Sequence, residues 1–338
     1  MKALLCYNEK DFRMEEIEKP LISDDEMLIE LLYSGLCGSD IVRIFNTKDK
    51  PSLYGHEVVG KVSEVGSRVK KFKVGDIVVA AHHIPCGNCH YCKHGNHTMC
   101  KMFKNTNIYP GGFCQYIRLS SEHIKNTTFK LPEGNNPLEA LFVEPLACCI
   151  RAMDRIPYIE EDVFSIVGAG AIGMLFLELT KLAGLRAIVI DVDGQRLEMA
   201  RELGADHVIN PSEDDLLTEI KKITPIGIDS AVLTVTNKFT VTDALSYMRP
   251  GGQINIFGMG LDTEPIPVDF NRIYKSELTL RSSYSATPDT VARSYDLIIR
   301  DRKVDVSRLL SEVLPLSEFK KGLDLMLDRK IYKAFYKL

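Results

Sequence analysis

Residues 163–193 read VFSIVGAGAIGMLFLELTKLAGLRAIVIDVD, and this stretch decides the fold. Val163 to Val167 is a short apolar run with the length of a buried strand. Gly168-Ala169-Gly170-Ala171-Ile172-Gly173 follows it, a GxGxxG turn. Apolar residues then recur at Ile172, Leu175, Phe176, Leu179 and Leu182, the spacing of a helix face. A second apolar strand, Ala187 to Val192, carries Asp191 near its end. A glycine turn alone is a weak signal, whereas one set between strand and helix and followed by an acid is the signature of a dinucleotide-binding unit. Gly168 allows the tight turn, Gly170 lets a pyrophosphate approach the backbone, and Gly173 lets helix and strand pack closely. Asp191 lies 23 residues after Gly168, where a carboxylate bonds ribose hydroxyls and repels a 2′-phosphate. Val192, Asp193 and Gly194 follow with no arginine among them, so NAD is expected rather than NADP. Gly168, Gly170, Ile172, Gly173, Asp191 and Arg196 form the expected cofactor-binding set.

Downstream the rhythm continues. Helices are predicted over Gln195–Leu203, Asp214–Ile223 and Thr240–Met248, and strands over His207–Asn210, Ile228–Val235 and Gln253–Phe257. Alternation of this kind implies a mostly parallel sheet covered on both faces, an α/β fold. The N-terminal half differs. Its segments Met27–Tyr33, Val58–Val65, Asp76–Ala80 and Gly112–Leu119 are β-prone and interrupted by Gly and Pro, and no internal repeat is present. A β-rich domain therefore precedes the nucleotide domain, with the boundary expected near Ala147.

The whole chain of 338 residues suits two domains. With 42 basic and 46 acidic residues its formal net charge is −4, and no basic excess points to nucleic acid or an anionic membrane. The longest apolar runs fall far short of the roughly 20 residues a membrane span needs. The N-terminal MKALLCYNEKDF turns acidic without a small-residue cleavage site, so a cytoplasmic location is expected.

Nine cysteines are the compositional oddity. Cys86, Cys89, Cys92 and Cys100 fall in PCGNCHYCKHGNHTMC, a C-x2-C-x2-C-x7-C pattern. Two-residue gaps let successive thiolates surround one ion, and four thiolates suit structural zinc, although ferredoxin-type iron sites share such gaps. Pro85, Gly87, Gly95 and Asn96 favour a loop here. His82, His83, His90, His94 and His97 crowd the same stretch and read as polar loop residues.

Two further clusters are Gly35-Leu36-Cys37-Gly38-Ser39-Asp40 and Gly55-His56-Glu57-Val58-Val59-Gly60, with an acid, Glu144, in Phe142-Val143-Glu144-Pro145-Leu146. Cysteine, histidine and carboxylate form a ligand set for catalytic zinc, but these residues are scattered over about 100 positions and spacing does not assemble them.

In order, GLCGSD, GHEVVGKVSEVGSRVKKFKVGDIV, the four-cysteine lobe, GGFCQY, VEPLA and GAGAIG resemble the zinc-dependent medium-chain dehydrogenases of alcohol, polyol and threonine type. The motifs are nearest those of sorbitol and galactitol-1-phosphate dehydrogenases. The resemblance implies a GroES-like β-rich catalytic domain, residues 1–147 and 279–338, with a structural zinc lobe at about 84–102. A doubly wound Rossmann domain would occupy 148–278. It implies two zinc ions per chain and NAD, with Cys37, His56, Glu57 and Glu144 at the catalytic metal and Cys86, Cys89, Cys92 and Cys100 at the structural one. Ser39 would begin proton relay, and Phe113 of GGFCQY would line the substrate cleft. The usual relay histidine position holds Val42, and Arg43 beside it is a candidate clamp for a substrate phosphate or carboxylate. Glutamate at 144 inclines the reading toward polyol, sugar, sugar-acid or sugar-phosphate substrates. Alternatives are an L-threonine 3-dehydrogenase and, from another class, a non-catalytic NAD- and zinc-binding protein. By analogy with the family, a homotetramer is expected.

Overall fold

The computed structural model describes residues 1–47, 50–260 and 264–338. The chain divides into two compact units, one of Met1–Ala147 with Ser285–Leu338, the other of Cys148–Tyr284.

In the second unit six parallel strands lie in the order His207–Ile209, Arg186–Ile190, Val163–Val167, Ile228–Leu233, Met248–Ile256 and Thr279–Ser282. The chain thus starts in the middle, winds to one edge, then returns and winds to the other, the doubly wound order. Val163–Val167 is buried along its whole length, because helices cover both faces of a parallel sheet and leave no polar face. Ile188, Ile190, Ile228, Leu233 and Ile254 share its core with Ala244 and Leu245 of the helix Lys238–Tyr247. The strand Thr279–Ser282 pairs in parallel with Met248–Ile256, so the expected return to the first domain at 279 comes six residues later, at Ser285. An edge strand of only four residues carries too little pattern to reveal which sheet it joins.

The first unit holds a seven-stranded sheet. Glu57–Val65 pairs antiparallel with Met27–Gly35 and with Ile77–Ala80. The C-terminal strand Phe335–Lys337 pairs antiparallel with the end of Met27–Gly35. Gly35 therefore faces Glu57 on one side and Phe335 on the other. That register brings the last residues of the chain beside its first sequence cluster. Among the described residues, no helix is long and apolar enough to cross a membrane.

Candidate metal centre

GLCGSD folds into a helix start. Cys37 is the N-cap of the helix Gly38–Phe45, and its Sγ accepts from the Ser39 backbone N–H at 3.4 Å and from the Ser39 hydroxyl at 3.3 Å. Asp40, three residues on, closes the capping box by accepting from the Cys37 N–H at 3.4 Å. A helix N-terminus favours negative charge, and the Cys37 sulfur stands at one. Asp40 is wholly buried and has a second task. Its Oδ1 lies 3.2 Å from His56 Nδ1 and accepts the Gly55 N–H at 3.4 Å. With Nδ1 held by a carboxylate, Nε2 is the ring nitrogen left for a metal, the usual arrangement behind a ligating histidine.

The electrostatics favour a cation. Burial alone would depress the His56 pKa, but the Asp40 carboxylate and the Cys37 sulfur outweigh it and push the pKa well above its ordinary value. Glu57 begins its strand beside His56 and is buried, and neither of its oxygens has a hydrogen-bond partner. The Lys333 ammonium lies close to Oε2 but outside hydrogen-bond geometry. Burial opposes charge on Lys333, yet Glu57 and Cys37 raise its pKa. Glu144 sits in the first turn of the helix Val143–Met153, its Oε1 3.9 Å from His82 Nδ1.

Two sets of donor atoms converge here: Cys37, His56 and Glu57, and His56, His82 and Glu144, each set within 4.8 Å. Sulfur, imidazole and carboxylate together suit zinc, and the buried Glu57 oxygens, which make no hydrogen bond, have lone pairs to offer an ion. The residues fit the ion.

The lobe is built differently. Cys86, Cys89, Cys92 and Cys100 bring their sulfurs within 4.8 Å of one another, with Cys89 and Cys92 3.6 Å apart. Around a zinc ion with bonds of about 2.3 Å, thiolates stand about 3.8 Å apart, so the shell is nearly preformed. Short helical turns, His90–Lys93, His97–Met99 and Lys101–Asn105, run through it in place of the expected loop. Burial alone would raise the Cys100 pKa, but N–H groups of Cys86, Phe103 and Met102 and the Cys86 thiol bring it down to about 6. Burial instead drives Cys92 up to about 12. All nine cysteines are free of disulfides.

At the nucleotide loop, Gly168 has φ +102° and a Cβ there would strike the Thr234 hydroxyl, while one at Gly173 would strike the Gly168 carbonyl. Gly170 caps the helix Ala171–Leu182. Asp191 accepts the Ala169 N–H at 2.6 Å and the Asp193 N–H at 3.0 Å, which holds its carboxylate against the loop. Arg196 stands nearby, its Nη1 3.5 Å from where a Cβ of Gly170 would be, and Ile172 lies in the helix's first turn.

Two family descriptions match the chain: an alcohol dehydrogenase GroES-like domain over residues 23–133 and a zinc-binding dehydrogenase over residues 171–300. The chain belongs to the zinc-dependent medium-chain dehydrogenases. Sorbitol dehydrogenase of Bacillus subtilis (strain 168) is 34% identical to it over 83% of this chain and 81% of its own. L-threonine 3-dehydrogenase of Caldanaerobacter subterraneus subsp. tengcongensis is 31% identical over 97% of this chain and 96% of its own. The structure of alcohol dehydrogenase TADH from Thermus sp. ATN1 superposes with a TM-score of 0.87, covering both chains fully at 26% identity.

In this dehydrogenase the structure brings Cys37, Ser39, His56 and Glu57 together around one point, with Glu144 across His56. Arg43 is exposed on the same helix as Ser39. Phe113 is a correction. It is 1% exposed and packs edge-on against Phe319 and Tyr336, at 5.0 and 5.9 Å between ring centres, inside the core of the first unit. Aromatic packing partners from the far end of the chain left no trace near GGFCQY, so the sequence could not show this burial. His82 and His83, read from the sequence as polar loop residues, are a second correction, because their rings pack in a row against His56. His82 packs tilted against His56 with 4.4 Å between ring centres, and His83 bonds the Thr106 carbonyl at 2.5 Å through Nδ1. Sequence reasoning also passed over Asp40 and Lys333. Asp40 had a visible signal, its i+3 position from Cys37, while Lys333 had none.

Proposed function

We propose that this chain oxidises a secondary alcohol of a polyol, sugar, sugar acid or sugar phosphate to the ketone, using zinc and NAD. The observation that carries the reading is a cysteine, a histidine and two glutamates, all but Cys37 buried, whose donor atoms converge while neither oxygen of Glu57 is held by a hydrogen bond. Cys37 and His56 with a glutamate, Glu57 or Glu144, would hold the catalytic zinc, and the four lobe thiolates a structural one. When bound, zinc lowers the proton affinity of the substrate hydroxyl and NAD takes up the hydride.

The protein's own residues supply the rest. Asp40 fixes the His56 ring and its tautomer. Ser39, its hydroxyl beside the Cys37 sulfur, would take the substrate proton at Oγ. With Val42 at the next relay position, that proton passes on to water. Gly170 would let the pyrophosphate approach the backbone, on a turn that Gly168 and Gly173 make possible, and Asp191 would bond the adenosine ribose, which favours NAD. Arg43 would pair with a substrate phosphate or carboxylate if one is present. The reaction balances as alcohol and NAD+ giving ketone, NADH and a proton.

The likeness to an L-threonine 3-dehydrogenase over nearly the whole chain supports a second reading, in which the hydroxyl of threonine is oxidised. NAD reduction measured over sorbitol and other polyols, sugar phosphates, sugar acids and threonine separates the two. The highest kcat/KM is expected with a polyol-type substrate. Turnover of threonine alone would overturn the first reading, and no turnover of any with two zinc ions bound would favour a non-catalytic protein.

A further inference from the structure

His82 is the buried side chain that the reading above leaves without work. It is 6% exposed, and its Nδ1 has no hydrogen-bond partner. Its backbone carbonyl accepts from His123 Nε2 at 3.0 Å, which anchors the main chain but does nothing for the ring. A buried ring nitrogen left unpaired costs about 1–3 kcal/mol. The ring lies between His56 and His83, with 4.4 and 3.9 Å between centres, and its Nδ1 points to Glu144 Oε1 at 3.9 Å. No proton on Nδ1 bridges that gap, since 3.9 Å is beyond a hydrogen bond. Donor atoms around one zinc ion stand about 3.4 Å apart when nitrogen and oxygen bind at about 2.1 Å, so a small rotation of either side chain would bring the pair to ligand spacing.

We infer that His82 is a metal ligand and that the pocket offers zinc two positions sharing His56: one bounded by Cys37 and Glu57, the other by His82 and Glu144. The two sets of donors, each within 4.8 Å, have only His56 in common. The second set contains no sulfur. Lys333 is paired with Glu57, a donor of the first set. The inference rests on the proposed catalytic zinc, and it assigns to Glu144 a partner that the motifs did not suggest.

The test is zinc affinity of the full-length protein, read as zinc per chain by elemental analysis after equilibration in graded zinc buffers. The wild type is expected to hold two ions. Cys37→Ser should retain the second ion at reduced affinity, because His56, His82 and Glu144 remain. Adding His82→Asn to Cys37→Ser should weaken that ion by a further tenfold or more. Cys37→Ser with Glu144→Gln reads the same position from its other side, should the first double variant not fold. An unchanged affinity on adding either second substitution would overturn the role of His82, as would complete loss of the second ion in Cys37→Ser alone. A wild type holding only the lobe's ion would overturn the catalytic zinc itself, an outcome distinct from both.

Discussion

The four thiols of the lobe come from residues 86–100, whereas the groups around His56 come from positions 37 to 333. In the lobe, ligand order, turn residues and backbone N–H groups are all local, and the donors are of one kind. Around His56 the donors are of three kinds, held by a helix cap, a strand start and a helix first turn, with Lys333 brought in from just before the C-terminal strand. A local shell can close round an ion completely and serves as a staple. A shell assembled over long range can keep buried groups unpaired, and unpaired groups are what a catalytic ion and its substrate require.

This contrast breaks down if the two sites respond alike to losing a ligand. Cys37→Ser should lower kcat/KM by more than about 1000-fold, on the order of 4 kcal/mol, while NADH binding by fluorescence and the Tm stay close to wild type. Cys89→Ser should do the reverse, lowering Tm by about 5 °C or more with kcat per folded chain largely kept; calorimetry beside an active-site titration checks it. A fully stable Cys89→Ser would remove the staple, and a catalytically dead but folded one would merge the two sites. Asp40→Asn keeps the cap's shape but weakens the hold on His56, and a loss of about 30-fold in metal affinity or kcat/KM is expected, with no change in lobe zinc by elemental analysis. The smallest effect should follow Gly35→Ala. A Cβ there would stand 2.5 Å from Glu57 Oε2 and 3.0 Å from Lys333 Cε, so the carboxylate must shift. About a tenfold fall in kcat/KM, ~1.4 kcal/mol, with unchanged lobe zinc would show that the position of Glu57 matters; an unaltered rate would show that it does not.

The nucleotide unit was the most legible part. Strand, glycine turn, helix and acid lie within a single βαβ stretch, and the structure sets Val163–Val167, Ala171–Leu182 and Arg186–Ile190 close to where periodicity placed them. The edge strand Thr279–Ser282 was misassigned because four residues pair with a neighbour chosen by the whole sheet. In the candidate centre, Cys37, His56, Glu57 and Glu144 were picked out by motif resemblance. Phe113 was misread because its partners, Phe319 and Tyr336, lie some 200 residues away.

Local chemistry in the sequence determined the lobe's four ligands, the phosphate-binding turn and the helix cap at Cys37, since each depends on neighbours within one or two turns of chain. Only the tertiary structure decided that Asp40 orients His56, that Lys333 stands over Glu57, and that His82 belongs beside Glu144 rather than in the lobe. Those pairings follow from sheet register and packing. Gly35 aligned between Glu57 and Phe335 carries Lys333 to its place, and no spacing along the chain encodes a register that two distant strands settle between them.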